Sequence, residues 1–262
     1  MLTKEDILAQ LESFRSAVGK PVIVHSSLRS IGSIDGGADT LIDALVQFFT
    51  REGGLLCIPT HTWDENIMDL RTPRSCIGTL PHTAAGRLDG VRTMHPTHSM
   101  MVFGEPSLAA AFADHDRYSQ SPAAPTGCLG RLWKEDGYVL LIGVGHNKNT
   151  FLHCVEEMMY VPGRLTGEMV ERTIIHKDGS REQKYLYWFD EAKIPDVSVY
   201  FGKYEPAFRY HNCIQDAKIG NASAQLCSAQ MMKETMELVR KNSKGIELLS
   251  DDTPLLPCYY TE

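Results

Sequence analysis

The chain has 262 residues, of which 43% are hydrophobic and 23% charged; this is the composition of a globular protein with a sizeable core, and it excludes a fibre or a disordered chain. Lys and Arg number 26 against 33 Asp and Glu, a net charge of −7 that disfavours a general nucleic-acid binder and suits a protein handling small cations. No stretch reaches the roughly 18 uninterrupted apolar residues of a membrane span. The segment MLTKEDILAQLESF mixes charge with helical spacing and lacks the apolar block of a secretory signal, so a cytoplasmic location is expected, with neither membrane nor nucleic acid as partner.

Residues 1–18 read as an amphipathic helix through Ile7, Leu8, Leu11 and Phe14. Pro21 to Val24 is a short apolar strand, followed by the polar loop His25 to Gly32. Gly36-Gly37 precede a helix whose stripe is Ala38, Leu41, Ile42, Leu45, Val46 and Phe49, stopped by Gly53-Gly54. Leu55 to Pro59 is the next strand, so a βαβ unit with a parallel sheet is expected. Tyr138 to Gly145 is continuously apolar, as a strand buried on both faces requires. Thr150 is placed to cap a following helix. Glu171–His176 and Gln183–Phe189 flank Lys177-Asp-Gly-Ser180 as a β-hairpin, and 222–241 reads as a late helix. The expectation is a single α/β domain over 1–262, layered αβα with a mixed, partly parallel central sheet. The hairpin region 171–200 is an insertion expected near the acceptor cleft. The seven cysteines are scattered without a C-x-x-C pair and read as reduced, mostly buried thiols.

Open α/β sheets bind ligands at the carboxyl ends of their strands, and three polar clusters fall there. The first, His25-Ser26-Ser27-Leu28-Arg29-Ser30-Ile31-Gly32, leads to Gly36-Gly37 and a helix start. It suits an anion site built from N–H groups and hydroxyls, or an ordinary βα connection. The second, His95-Pro96-Thr97-His98-Ser99, suits ligand positioning or, with further ligands, a metal; no H-E-x-x-H occurs, and no metal is expected. In the third, His153 and Glu156 are one helical turn apart, with Glu157 nearly as close. A carboxylate on one imidazole nitrogen makes the other a general base; a structural ion pair has the same spacing. His61, Trp63 and Asp64 follow the strand 55–59 and either line the same cleft or anchor a loop. The absence of G-x-S-x-G argues against an α/β-hydrolase serine.

Six pieces in one order share a pattern. They are His25 to Gly32 with Gly36-Gly37-Ala38, Pro59-Thr60-His61-Thr62-Trp63-Asp64, Ile77-Gly78, His95 to Ser99, Ser121-Pro122, and Val139 to Gly145 with Asn149-Thr150-Phe151-Leu152-His153-Cys154-Val155-Glu156. Together they resemble the aminoglycoside 3-N-acetyltransferase family from about residue 20 to 165, resuming weakly at 218–222. The resemblance implies transfer of an acetyl group from acetyl-CoA to the 3-amino group of an aminoglycoside, on a fold other than the GNAT fold. It makes His153 the catalytic base and Glu156 its orienting carboxylate. It places Ser26, Ser27, Leu28, Arg29, Ile31 and Gly32 along the CoA pantetheine and phosphates, and Thr97 and Ser99 at the acetyl-CoA arm. Many members carry an aspartate shortly after the Gly-Val-Gly strand end, where this chain has Asn147 and Lys148. Asn147, Asp64 and Glu157 therefore stand as acceptor contacts, and a narrower set of aminoglycosides or another amine is the alternative acceptor. A metal-dependent hydrolase using His95, His98 and His153 is the competing class. A homodimer is left open.

Overall fold

Thr3 and Asp6 open the chain's first helix with a reciprocal cap, Asp6 N donating to Thr3 Oγ1 (3.2 Å) and Thr3 N to Asp6 Oδ2 (2.9 Å). In the computed structural model, which describes residues 1–261, α1 spans Lys4–Leu11 and tightens into a 3₁₀ segment, Glu12–Ala17, burying Ile7, Leu11 and Phe14. The helix expected over 1–18 thus starts later and ends in a tighter coil. Then come β1 (Pro21–Ser26), a single helical turn α2 (Leu28–Ile31), α3 (Gly37–Phe49) and β2 (Leu55–Pro59). β1 and β2 pair in parallel, completing the expected βαβ unit. The polar loop expected over His25 to Gly32 differs in two respects: β1 runs on through His25 and Ser26, paired with β6, and Ser27 Oγ accepts from Ser30 N (3.3 Å), a cap that folds 28–31 into α2.

The next elements are β3 (Ile67–Asp69), α4 (Thr79–Ala85), β4 (Val91–Arg92), β5 (Met100–Phe103), α5 (Pro106–Ala113), α6 (Cys128–Lys134), β6 (Tyr138–Ile142) and α7 (Phe151–Met158). The hairpin β7 (Val170–Ile175) and β8 (Arg181–Leu186) follows, then α8 (Glu205–Tyr210), β9 (Ile214–Ile219), β10 (Ala222–Ser228) and α9 (Ala229–Asn242). Seven strands form one sheet in the order β4-β5-β2-β1-β6-β10-β9. β1 lies parallel to both β2 and β6, and the outer pairings are antiparallel, so the sheet is mixed with a parallel centre.

Alternation along the central strands divides the core. Val22, Val24, Leu140 and Ile142 pack with α1, α3 and α4 on one face. Ile23, Val139 and Leu141 pack with α5, α6, α7 and α9 on the other. The result is the αβα layering anticipated from the sequence. The hairpin stays out of this sheet: β7 takes β8 on one side and β3, in parallel, on the other, with Ile67 opposite Thr173 and Asp69 opposite Ile175.

Residues 222–228 are strand and not the start of the late helix. Ala222, Ala224 and Leu226 are buried while Ser223 is exposed, a period of two, and a Gly220-Asn221 turn folds β10 back on β9. Ser228 then caps α9 through Met231 N (3.3 Å). All seven cysteines are unpaired and five of them are buried.

Gly130 on α6 sits against the carbonyl of Pro125, where an added Cβ would lie 1.9 Å from the oxygen. Gly130→Ala is expected to cost about 3 kcal/mol through this overpacking, seen as a lower urea midpoint with an unchanged slope.

Candidate active site

The pairing of β1 with β6 places His25 opposite Leu141 and Ser26 opposite Ile142, so the two strands end side by side. The chain leaves β6 through Gly143, whose φ of +66° favours glycine and whose added Cβ would lie 2.5 Å from the Ser30 Cβ. This close approach holds the α2 turn against the segment leading to α7. Asn149, and not Thr150, caps α7: its Oδ1 accepts from Phe151 N (3.2 Å), while Thr150 is already helical and its hydroxyl caps nothing.

A cavity of about 510 Å³ opens at these strand ends, in the size range of small-molecule sites. Its floor includes Val24, His25, Ser26, Pro59 and His61; its sides include Trp63, Ile77, His98, Asn147, Lys148 and His153. The segment from Trp188 to Ser198, in contact with His153 and His98 through Trp188 and Phe189, contributes Asp190, Glu191 and Asp196, the acidic residues among the lining. Asp196 is itself held in the left-handed region (φ +44°).

His153 points a largely buried imidazole into this space, stacked on Phe189 at 4.5 Å and edge-on to Phe201 at 4.7 Å. Burial between these rings lowers its pKa to about 4, with Asp196 pulling the other way, so the ring is neutral and keeps a free lone pair at pH 7. His153 Nδ1 lies 3.9 Å from Glu156 Oε2, a distance for electrostatic support short of a hydrogen bond. The other oxygen of Glu156 accepts from Arg164 Nε at 2.6 Å. Burial pushes the Glu156 carboxyl up to about 7 against the pull of that guanidinium.

Of the other residues singled out in the sequence, Ser26 and Asn147 line the cavity; Ser27, Leu28, Arg29, Ile31 and Gly32 form the adjoining α2 turn outside its lining. Ser26 Oγ and His25 Nε2 are buried without partners. Thr97 and Ser99 are turned inward. Thr97 Oγ1 meets His98 Nδ1 (3.0 Å), and Ser99 Oγ donates to Thr60 O (3.1 Å) and accepts from Arg92 Nε (3.1 Å). Both nitrogens of His95 are committed, Nε2 to Ser121 O (2.9 Å) and Nδ1 to the Thr97 and His98 amides (3.2 and 2.9 Å). Among the described residues no group of three or more His, Cys, Asp or Glu has the geometry to hold a metal ion. Asp64 pairs with Arg74 (2.5 Å), and Glu157 accepts from Ser121 Oγ (2.5 Å); neither lines the cavity.

The structure puts His25 and His98, each within a cluster the sequence singled out, in the lining; sequence reasoning missed Arg164 as the partner of Glu156, and the acidic segment. The last had a signal: two aromatics, Trp188-Phe189, run directly into Asp190-Glu191 after a hairpin.

The aminoglycoside 3-N-acetyltransferase family model matches residues 23–239. Aminoglycoside N(3)-acetyltransferase IV of Salmonella sp is 32% identical over 163 residues, 61% of this chain and 60% of that enzyme's length. The prophage-derived aminoglycoside N(3')-acetyltransferase-like protein YokD of Bacillus subtilis (strain 168) is 24% identical over 94% of this chain and 95% of its own. Among solved structures, a binary complex of AAC-IIIb with CoASH superposes with a TM-score of 0.76 at 21% identity, covering 91% of this chain and 96% of that one. A histidine-to-alanine mutant of AAC(3)-IVa in complex with a gentamicin gives 0.75 at 25% identity, with 95% of each chain covered. The family match spans most of the sequence and the fold agrees with it: the chain belongs to the aminoglycoside 3-N-acetyltransferase family, a family of acyltransferases.

Proposed function

We propose that the protein transfers an acetyl group from acetyl-CoA to the 3-amino group of an aminoglycoside, with His153 as general base and Glu156 as its supporting carboxylate. The observation that carries this reading is a neutral imidazole on α7, lining a cavity at the strands' carboxyl ends that also takes in Asp190, Glu191 and Asp196. The unpartnered Ser26 Oγ and His25 Nε2 at the end of β1 fit a cosubstrate bound beside them. Ser26, Ser27, Leu28, Arg29, Ile31 and Gly32 would hold it along the α2 turn, and it supplies the activated acyl thioester. Thr97 and Ser99 act from behind by fixing His98 and the Thr60 backbone.

Asp190, Glu191 and Asp196 attract and orient the ammonium groups of a polycationic acceptor. Asn147 and Lys148 share the lining, and the cation in the same cavity as these carboxylates favours a narrower acceptor set than an all-acidic pocket would take. A base of pKa about 4 is too weak to strip an ammonium at equilibrium. The acceptor therefore reacts as the free amine, its ammonium proton having gone to solvent; His153 takes a second N–H proton as that nitrogen attacks the thioester carbonyl, and returns it to the sulfur as the C–S bond breaks. The 3.9 Å separation from Glu156 is the loose geometry common before reactants bind. No helix among the described residues is long and apolar enough to cross a membrane; a cytoplasmic setting belongs to the same proposal.

The test is release of free thiol from acetyl-CoA across a panel of aminoglycosides and simpler amines, followed by identification of the acetylated nitrogen. Thiol release only without amine, or modification elsewhere than the 3-amino group, contradicts the reading. Asp190→Asn and Asp196→Asn are each expected to raise the KM for the acceptor about 10-fold, as loss of one charge-assisted contact predicts, while the KM for acetyl-CoA stays put.

A further inference from the structure

Arg164 lies on the connection between α7 and β7, is 7% exposed, and borders the cavity. Its Nε donates to Glu156 Oε1 at 2.6 Å and its NH2 to Glu247 Oε1 at 3.0 Å. Glu247 is anchored in turn, since the same oxygen accepts from Leu249 N (2.8 Å). Glu156 therefore has one oxygen committed to a guanidinium. The second is buried, without a hydrogen-bond partner, and 3.9 Å from His153 Nδ1. Among the described residues no other side chain hydrogen-bonds this carboxylate.

We infer that Arg164 is a positioning residue for the acetyl transfer: anchored by Glu247, it grips one oxygen of Glu156 and leaves the other directed at His153. This rests on the reading of His153 as base. A buried carboxylate is costly without a counter-charge, and the charged groups facing Glu156 are Arg164 on one side with Glu247 and Glu157 opposing it. Without the guanidinium, burial and the two like charges drive Glu156 to the protonated form, which cannot stabilise an imidazolium.

The test compares Arg164→Gln, Arg164→Lys, Glu156→Gln and the Arg164→Gln/Glu156→Gln double variant. With acetyl-CoA and an accepted aminoglycoside, Arg164→Gln should lower kcat about 10-fold with either KM changed by less than about 3-fold. It should add nothing once Glu156 is Gln, and Arg164→Lys should recover part of the loss. A fully additive double variant, or a loss confined to KM, overturns the inference.

A second readout does not depend on turnover. The ¹³C carboxyl resonance of Glu156, assigned by its loss in Glu156→Gln, should titrate at higher pH in Arg164→Gln. Should that variant fail to fold, Arg164→Lys should show a smaller shift in the same direction. Unchanged titration overturns the role of Arg164 even if wild-type turnover is normal; absent wild-type turnover with a shifted titration sinks the acetyltransferase reading alone.

Discussion

His153→Ala should lower turnover by about 10²–10⁴-fold while acetyl-CoA still binds with nearly wild-type affinity. The range is that of a positioned base. The two substrates would still be brought together, and proximity accounts for most of the activity that remains. His153 contacts Phe189 and Phe201 at the cavity wall and hydrogen-bonds nothing, so its removal widens an existing space and leaves no buried polar group orphaned. Stability should change little, and a melt of the variant alongside the thiol-release assay separates lost chemistry from lost fold. Near-normal acetylation by His153→Ala would end the proposal that this ring moves the proton.

Acidification should destabilise the protein, and the histidines are the reason. Burial lowers His25, His146 and His153 to about 4, and lowers His61, His95 and His98 in the same direction. In the unfolded chain each titrates near 6.5. Between those values the unfolded state binds protons that the folded state refuses, so the stability these groups contribute is full above pH 6.5 and disappears as pH falls toward 4. Going from pH 7 to pH 5 costs about 2 kcal/mol for each of His25, His146 and His153, and His61, His95 and His98 add to the loss. Glu156 and Glu157, both raised to about 7 by burial, act the other way: their folded forms take up protons first, and each regains about 2 kcal/mol over the same interval. Three histidines against two glutamates leave a net loss of about 2 kcal/mol, which His61, His95 and His98 deepen in the same direction. Urea unfolding at pH 7 and pH 5 measures it; equal or greater stability at pH 5 would show that these rings are more solvated than their packing implies.

The architecture was legible because its signals are local and periodic. The stripe on α3 and the unbroken apolar run of β6 each state their own burial, and the β1-loop-helix-β2 order implies the parallel pair. β10 escaped because ASAQLCS is short and small-sided, and its period of two merges into the helical pattern of α9. The site was legible in the same uneven way. His153 and Glu156 share a helix, so spacing alone joins them. Arg164 meets Glu156 through a loop, and Glu247 reaches Arg164 from beyond α9; no periodicity encodes such contacts. The inward turn of Thr97 and Ser99 follows from the pairing of the β4–β5 connection with the chain leaving β2, Thr60 N donating to Ser99 O (2.7 Å) and Thr62 N to Thr97 O (2.8 Å), and a sequence of alternating hydroxyls and imidazoles does not declare which side faces a ligand.

β3 is only three residues long, yet it couples two stretches of chain that both lead into the rim of the cavity. Thr173 N donates to Asn66 O (3.0 Å) and Leu70 N to Ile175 O (2.9 Å), fastening the Trp63–Ile77 side to the hairpin that leads into Trp188–Ser198. Anyone redesigning the mouth for a bulkier acceptor inherits that stitching. Grafting one stretch from a relative without its companion would tear the ladder, and the two must be exchanged as a set.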